Sequence, residues 1–102
     1  DNPDFVDVVI HSYRHRFSYA AGDPSLDAIE QRLAAKPRIP VPTIVLHGDG
    51  SGLSRPESSL AQAPFFTGPY QHRVIPTAGH NLPQEVPKAV TDAVLEVIRA
   101  TK

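Results

Sequence analysis

A histidine set just past a short apolar run and directly behind a glycine is the side chain in this sequence best suited to acid–base chemistry. It is His80, in Val74-Ile75-Pro76-Thr77-Ala78-Gly79-His80-Asn81-Leu82-Pro83. An imidazole changes charge near neutral pH, and a loop at a strand end leaves it free to meet a substrate, which suits a general base. A second apolar run, Thr43-Ile44-Val45-Leu46-His47, leads into the polar loop Gly48-Asp49-Gly50-Ser51-Gly52. Each run ends in a polar loop with a helix after it, so candidate reactive groups gather at the carboxyl ends of strands, where open α/β sheets hold ligands. Plainer accounts stand beside these. His80 suits a loop histidine bonded to a nearby carbonyl, Asp49 beside glycine is a turn former, and His47 reads as a polar residue at a sheet edge or facing the cleft. Ser51 and Ser54 read as loop residues.

The elements that must position these groups follow from punctuation and period. Asn2 is an N-cap type and Pro3 a first-turn type, after which Val6, Val9, Ile10, Tyr13 and Phe17 recur at helical spacing up to a stop at Gly22. Asp23-Pro24 repeats the start signal, with Leu26, Ile29 and Leu33 on one face of a short second helix. Prolines at 37, 40 and 42 exclude a helix and predict a stiff lead-in to the strand at 43–47. Pro56 opens a short helix through Leu60 and Phe65, and Gly68-Pro69 closes it. Tyr70–Ile75 reads as a strand. Pro87 starts a last helix, ending near Arg99, with Val90, Ala93, Val94, Val97 and Ile98 on one face. Two strands that each return through a helix predict a parallel pair. Such a pair is normally covered on both faces, so further strands are expected from elsewhere.

Composition narrows the classes. Hydrophobic residues make up 40%, charged residues 21%, and the net charge is −1, which describes a globular segment and no polyelectrolyte. Arginines 14, 16, 38 and 73 are scattered among acids and form no basic stripe, so neither nucleic acid nor a membrane surface is an expected partner. The apolar runs are far short of the roughly 20 residues needed to span a bilayer, and the start does not resemble a signal peptide. Without cysteine there is no disulfide framework or thiolate metal site. A cytoplasmic location is the default expectation. The sequence has no methionine and begins Asp1-Asn2-Pro3, which predicts a piece of a longer polypeptide whose missing part precedes residue 1. The polar tail Arg99-Ala100-Thr101-Lys102 reads as a natural terminus.

Val41-Pro42-Thr43-Ile44-Val45-Leu46-His47-Gly48, then a loop, a helix, a strand and Ala78-Gly79-His80-Asn81-Leu82-Pro83, resembles the C-terminal part of the α/β-hydrolase family. The resemblance covers residues 37–99 and, more loosely, the helical segment before them. It implies an α/β fold with a doubly wound, mostly parallel sheet, of which residues 37–102 supply the C-terminal strands and helices. Residues 1–36 would form an N-terminal helical segment readable as a lid, with Tyr13, Phe17 and Tyr19 lining a pocket, although core packing explains these side chains equally well. In that family the triad runs nucleophile, acid, histidine along the chain, with the nucleophile in a Gly-x-Ser-x-Gly elbow. His80 matches the histidine. The elbow is absent, so nucleophile and oxyanion hole are expected on an upstream half, present as a separate or unobserved polypeptide.

The resemblance departs at the acid. The family usually places it three residues after the strand-terminal glycine, a position held here by Ser51, which carries no charge to hold an imidazolium. Three accounts stay open: Asp49 substitutes, aided by glycines at 48, 50 and 52; another strand of the absent part supplies the acid; or the triad is broken. Asp49 is the substitute carried forward. The implied reaction is nucleophilic attack on an ester or a similarly electrophilic small molecule, with His80 accepting the nucleophile's proton and later activating water. No metal or organic cofactor is required by that chemistry. Esterases, lactonases, epoxide hydrolases, dehalogenases and cofactor-free haloperoxidases all share the resemblance. Ser51 motivates a different class, a non-catalytic hydrolase-like binding scaffold. A small independent domain is a third reading, disfavoured by the missing methionine and the count of two strands.

Other patterns carry less. His11 and His15 are four apart on one helix face, as metal ligands can be, but Asp4, Asp7, Arg14 and Ser18 share that side and no glutamate follows His11. A solvated face accounts for them. The glycine-rich loop at 48–52 matches neither the dinucleotide fingerprint nor the lysine-containing phosphate loop.

Overall fold

The computed structural model describes residues 2–102, so Asp1 lies outside the described residues. Contacts divide the chain into two compact units, Asp1–Pro37 and Arg38–Lys102. Helix and strand are mixed, and the strands form one two-stranded parallel sheet. Such a sheet is compatible with an α/β fold.

The first unit holds helices α1 (Phe5–Arg16) and α2 (Asp27–Ala34), joined through a 3₁₀ turn at Pro24–Leu26. The start of α1 differs from the expectation at Asn2. Asp4 is the N-cap, and the Asn2 side-chain oxygen accepts the Asp4 amide at 3.0 Å, so Asn2 is spent on a turn before the helix. The stop also falls early. Ser18 takes a positive φ of 62°, while the Ser18 amide donates to the His15 carbonyl (3.0 Å) and the Tyr19 amide to that of Arg14 (2.7 Å). Paired bonds of this kind satisfy the last carbonyls of a helix and end it without glycine. Gly22 serves packing instead: a Cβ there would lie 2.9 Å from His15 Cε1. Asp23 caps as expected, its carboxylate accepting the Ser25 amide at 2.9 Å; that bond holds its carboxyl below the usual range. No residue of 2–37 is buried.

In the second unit β1 (Thr43–Gly48) and β2 (Tyr70–Ile75) pair in parallel, with Thr43 opposite Tyr70 and Gly48 opposite Ile75. Between them lie α3 (Pro56–Leu60) and a 3₁₀ turn at Ala63–Phe65, which break the one expected helix in two. Pro64 explains the break, since it has no amide to continue the ladder. The proline-rich lead-in is extended, and Ile39 bridges Phe66. After β2 come α4 (Leu82–Glu85), which the periodicity did not predict, and α5 (Pro87–Ala100). A one-turn helix is too short to show a period.

Helix α5 packs on the sheet through a narrower stripe than expected: Ala93 is buried and Val90 and Val97 half-buried, while Val94 and Ile98 stay exposed. Glu96 ties α5 to β2 through Arg73 at 2.7 Å, with Gln71 also donating to Glu96. Ala78 and Ala93 are the buried hydrophobic residues of the described chain. No described helix is long and apolar enough to cross a membrane.

Candidate active site

Because β1 and β2 run the same way, their carboxyl ends and both following loops share one rim. The loops are stitched together there. The Asp49 amide donates to the Ile75 carbonyl (3.2 Å), and the Gly50 amide to that of Ala78 (2.9 Å). Gly48 is required for this approach, since a Cβ would land on the carbonyl oxygens of Ala78 and Gly79.

Asp49 and His80 sit in these adjoining loops, yet no hydrogen bond or ion pair joins them among the described residues. The Asp49 carboxylate instead accepts the Thr77 amide at 2.6 Å. Thr77 has a φ of 60°, a left-handed conformation that costs a β-branched residue on the order of 1–3 kcal/mol. Asp49 thus holds the turn that carries the chain from β2 towards His80. The Ser51 hydroxyl accepts the Leu53 amide at 3.3 Å, a local turn bond.

The His80 side chain is exposed and lines a cleft of about 160 Å³ with Leu46, His47, Gly48, Ser51, Ser54, Gly79 and Leu82. No hydrogen bond engages its ring among the described residues. Its backbone is held closely. Glu85, in α4, accepts the Gly79 amide (2.5 Å) and the Asn81 amide (3.2 Å), one on each side of the histidine. Sequence reasoning missed Glu85, although a signal existed: an Asn N-cap with a glutamate in the first turn of a short helix is close to a capping box.

A cluster behind the cleft was also missed. His47 is 9% exposed, and its Nε2 lies 3.2 Å from the Ser54 carbonyl, which can only accept, so Nε2 carries a proton. Ser59 Oγ stands 2.8 Å from His47 Nδ1, 2.8 Å from His72 Nε2 and 3.0 Å from the Pro56 carbonyl. With a neutral His47 the hydroxyl donates to Nδ1 and accepts from His72 Nε2–H. If the hydroxyl turns to the Pro56 carbonyl, it no longer donates to Nδ1. The two histidines are diagonal neighbours on one face of the strand pair, and Ser59 reaches both because α3 lies over that face, a long-range contact with no mark in the local sequence.

No group of three or more His, Cys, Asp or Glu residues that could hold a metal occurs among the described residues. His11 is exposed, and the His15 ring lies against Gly22. A larger cavity of about 430 Å³ runs between β1 and α5, walled by Ile44, Leu46, Leu82, Pro83, Val90 and Val97 among others. All are apolar and offer no reactive group.

The chain has a counterpart among solved structures. The chain is 45% identical, over 97% of its length, to part of a putative epoxide hydrolase from Klebsiella pneumoniae subsp. pneumoniae, and superposes on its crystal structure with a TM-score of 0.84. It spans about a third, 33%, of the length of that protein. No family model and no curated protein matches the chain.

Proposed function

We propose that this chain carries the histidine end of an α/β-hydrolase active site, and that the complete enzyme hydrolyses small electrophilic substrates, epoxides foremost. The likeness to the Klebsiella protein carries the reading, since it runs through the whole stretch holding β1, β2 and the His80 loop. The cleft geometry agrees with it. At about 160 Å³ the cleft is below the roughly 300–1,000 Å³ of ordinary ligand pockets, as expected of one wall of a site whose remainder lies upstream.

In this mechanism an upstream carboxylate forms a bond to an epoxide carbon and the ring C–O bond breaks, the ring oxygen taking a proton from an acid on the same upstream segment. Water then attacks the carbonyl carbon of the resulting ester and gives its proton to the His80 imidazole, and the ester C–O bond breaks to release the diol and the carboxylate. Asp49 is the acid proposed to steady the imidazolium, reaching it by a shift of the glycine-flanked loop. The upstream segment of the same enzyme is the proposed partner, and a small molecule the ligand.

Replacing His80 with alanine in the full natural chain tests the reading. Turnover of styrene oxide or p-nitrophenyl acetate should fall by about 10³-fold; a variant within tenfold of the parent would remove His80 as the base. One observation favours the scaffold reading: the Asp49 carboxylate and the Ser51 hydroxyl are both engaged with backbone amides rather than with His80. On that reading the parent turns over neither substrate.

A further inference from the structure

We infer that Glu85 is the positioning residue for His80; the inference rests on the reading of His80 as the base. Two features of the loop lead to it. The first is the pair of bonds described above, from the Gly79 and Asn81 amides to one carboxylate. A charged acceptor makes stronger bonds than a neutral one, and gripping the residue before and the residue after fixes the Cα–Cβ direction of His80 between them. The second is Gly79. A Cβ there would lie 2.7 Å from Glu85 Oε1 and 2.9 Å from Oε2, so the glycine leaves the space that the carboxylate occupies. Glycine ahead of the histidine is thus explained by the clamp, for Gly79 has no positive φ that would otherwise demand it.

Position matters here because, among the described residues, the imidazole has no bond of its own to hold it. Its aim comes entirely from the backbone, and an error of about 1 Å in a catalytic group can cost on the order of 10²-fold in rate. Glu85 is exposed and lies on a one-turn helix, so its loss leaves the sheet and α5 intact. It acts through His80 without touching substrate.

The test uses the full natural chain with Glu85→Ala, Glu85→Gln and Gly79→Ala, beside His80→Ala. Glu85→Ala should lower kcat about 10- to 100-fold with KM changed less than about threefold. Glu85→Gln keeps one acceptor oxygen and should recover part of the loss. Gly79→Ala should reproduce the loss with Glu85 still present. The aim of the ring is read separately from its ¹H–¹³C Cε1 signal. That signal should be single in the parent and shifted or broadened in Glu85→Ala, with those of His11, His15, His47 and His72 unmoved. If Glu85→Ala keeps kcat within twofold and leaves the His80 signal unchanged, the positioning role is overturned. If His80→Ala is itself fully active, the reading of His80 as base has failed instead, and the ring signal still decides the clamp.

Discussion

Asp49 has one duty seen in the structure and one proposed for it, and the two can be separated. Its oxygen holds the Thr77 amide, whereas the acid role needs its charge. Asparagine keeps an acceptor oxygen and loses the charge; alanine loses both. Asp49→Asn should therefore unfold at the parent's temperature yet lose about 10⁴-fold in kcat, the cost of mis-setting a triad histidine. Asp49→Ala should show the same kinetic loss and also about 1 kcal/mol of stability, the usual worth of one such bond. Thermal unfolding and steady-state rates measured on both variants check this, and an active Asp49→Asn would move the acid elsewhere. The place of His80 and Asp49 on the strand-end rim was legible because glycine and strand-end context mark it. Their separate hydrogen-bonding was not, because which acceptor an aspartate chooses depends on the neighbouring loop, here the strained turn at Thr77.

Among the elements, α5 is joined to β2 by a charged contact whose strength depends on pH. The Arg73 guanidinium donating to Glu96 holds the Glu96 carboxyl below the usual range, and the same bond raises Arg73. A carboxyl depressed in the folded state contributes stability above its unfolded pKa and loses it as pH falls through the folded value. Unfolding midpoints of the parent should therefore exceed those of Glu96→Gln at neutral pH and converge with them in acid. A constant difference down to pH 2 would remove the pair from the acid response. Strong punctuation made most elements readable: Pro87 opens α5, Asp23 caps the turn before α2, and the prolines at 37–42 keep the lead-in extended. The ends of α1 and the existence of α4 were not readable. Their causes are a backbone motif formed around Ser18 and a turn fixed by the Glu85 bonds, neither of which leaves a period.

At the scale of the molecule, the parallel pair was read from strand–helix alternation, and the described residues leave it without the further strands expected to cover it. Val74, Val94, Leu95 and Ile98 stand 43–53% exposed, and α1 leaves Phe5, Val6, Tyr13 and Phe17 about 60% exposed. Apolar surface of this kind is what a proposed upstream segment would cover. The 102-residue chain alone should therefore enhance the fluorescence of a hydrophobic dye such as ANS, and the full natural chain should not; equal binding by both would place the cover elsewhere. Within this otherwise open surface the rim that bears His80 is unlike its surroundings, because its backbone is tied from both neighbouring strands and from Glu85 while its imidazole is bare. Solvent exchange of the Gly79 and Asn81 amide hydrogens and attack by a histidine-selective reagent on the residue between them thus report opposite things: the flanking amides are held by a carboxylate, and the ring is open to whatever arrives.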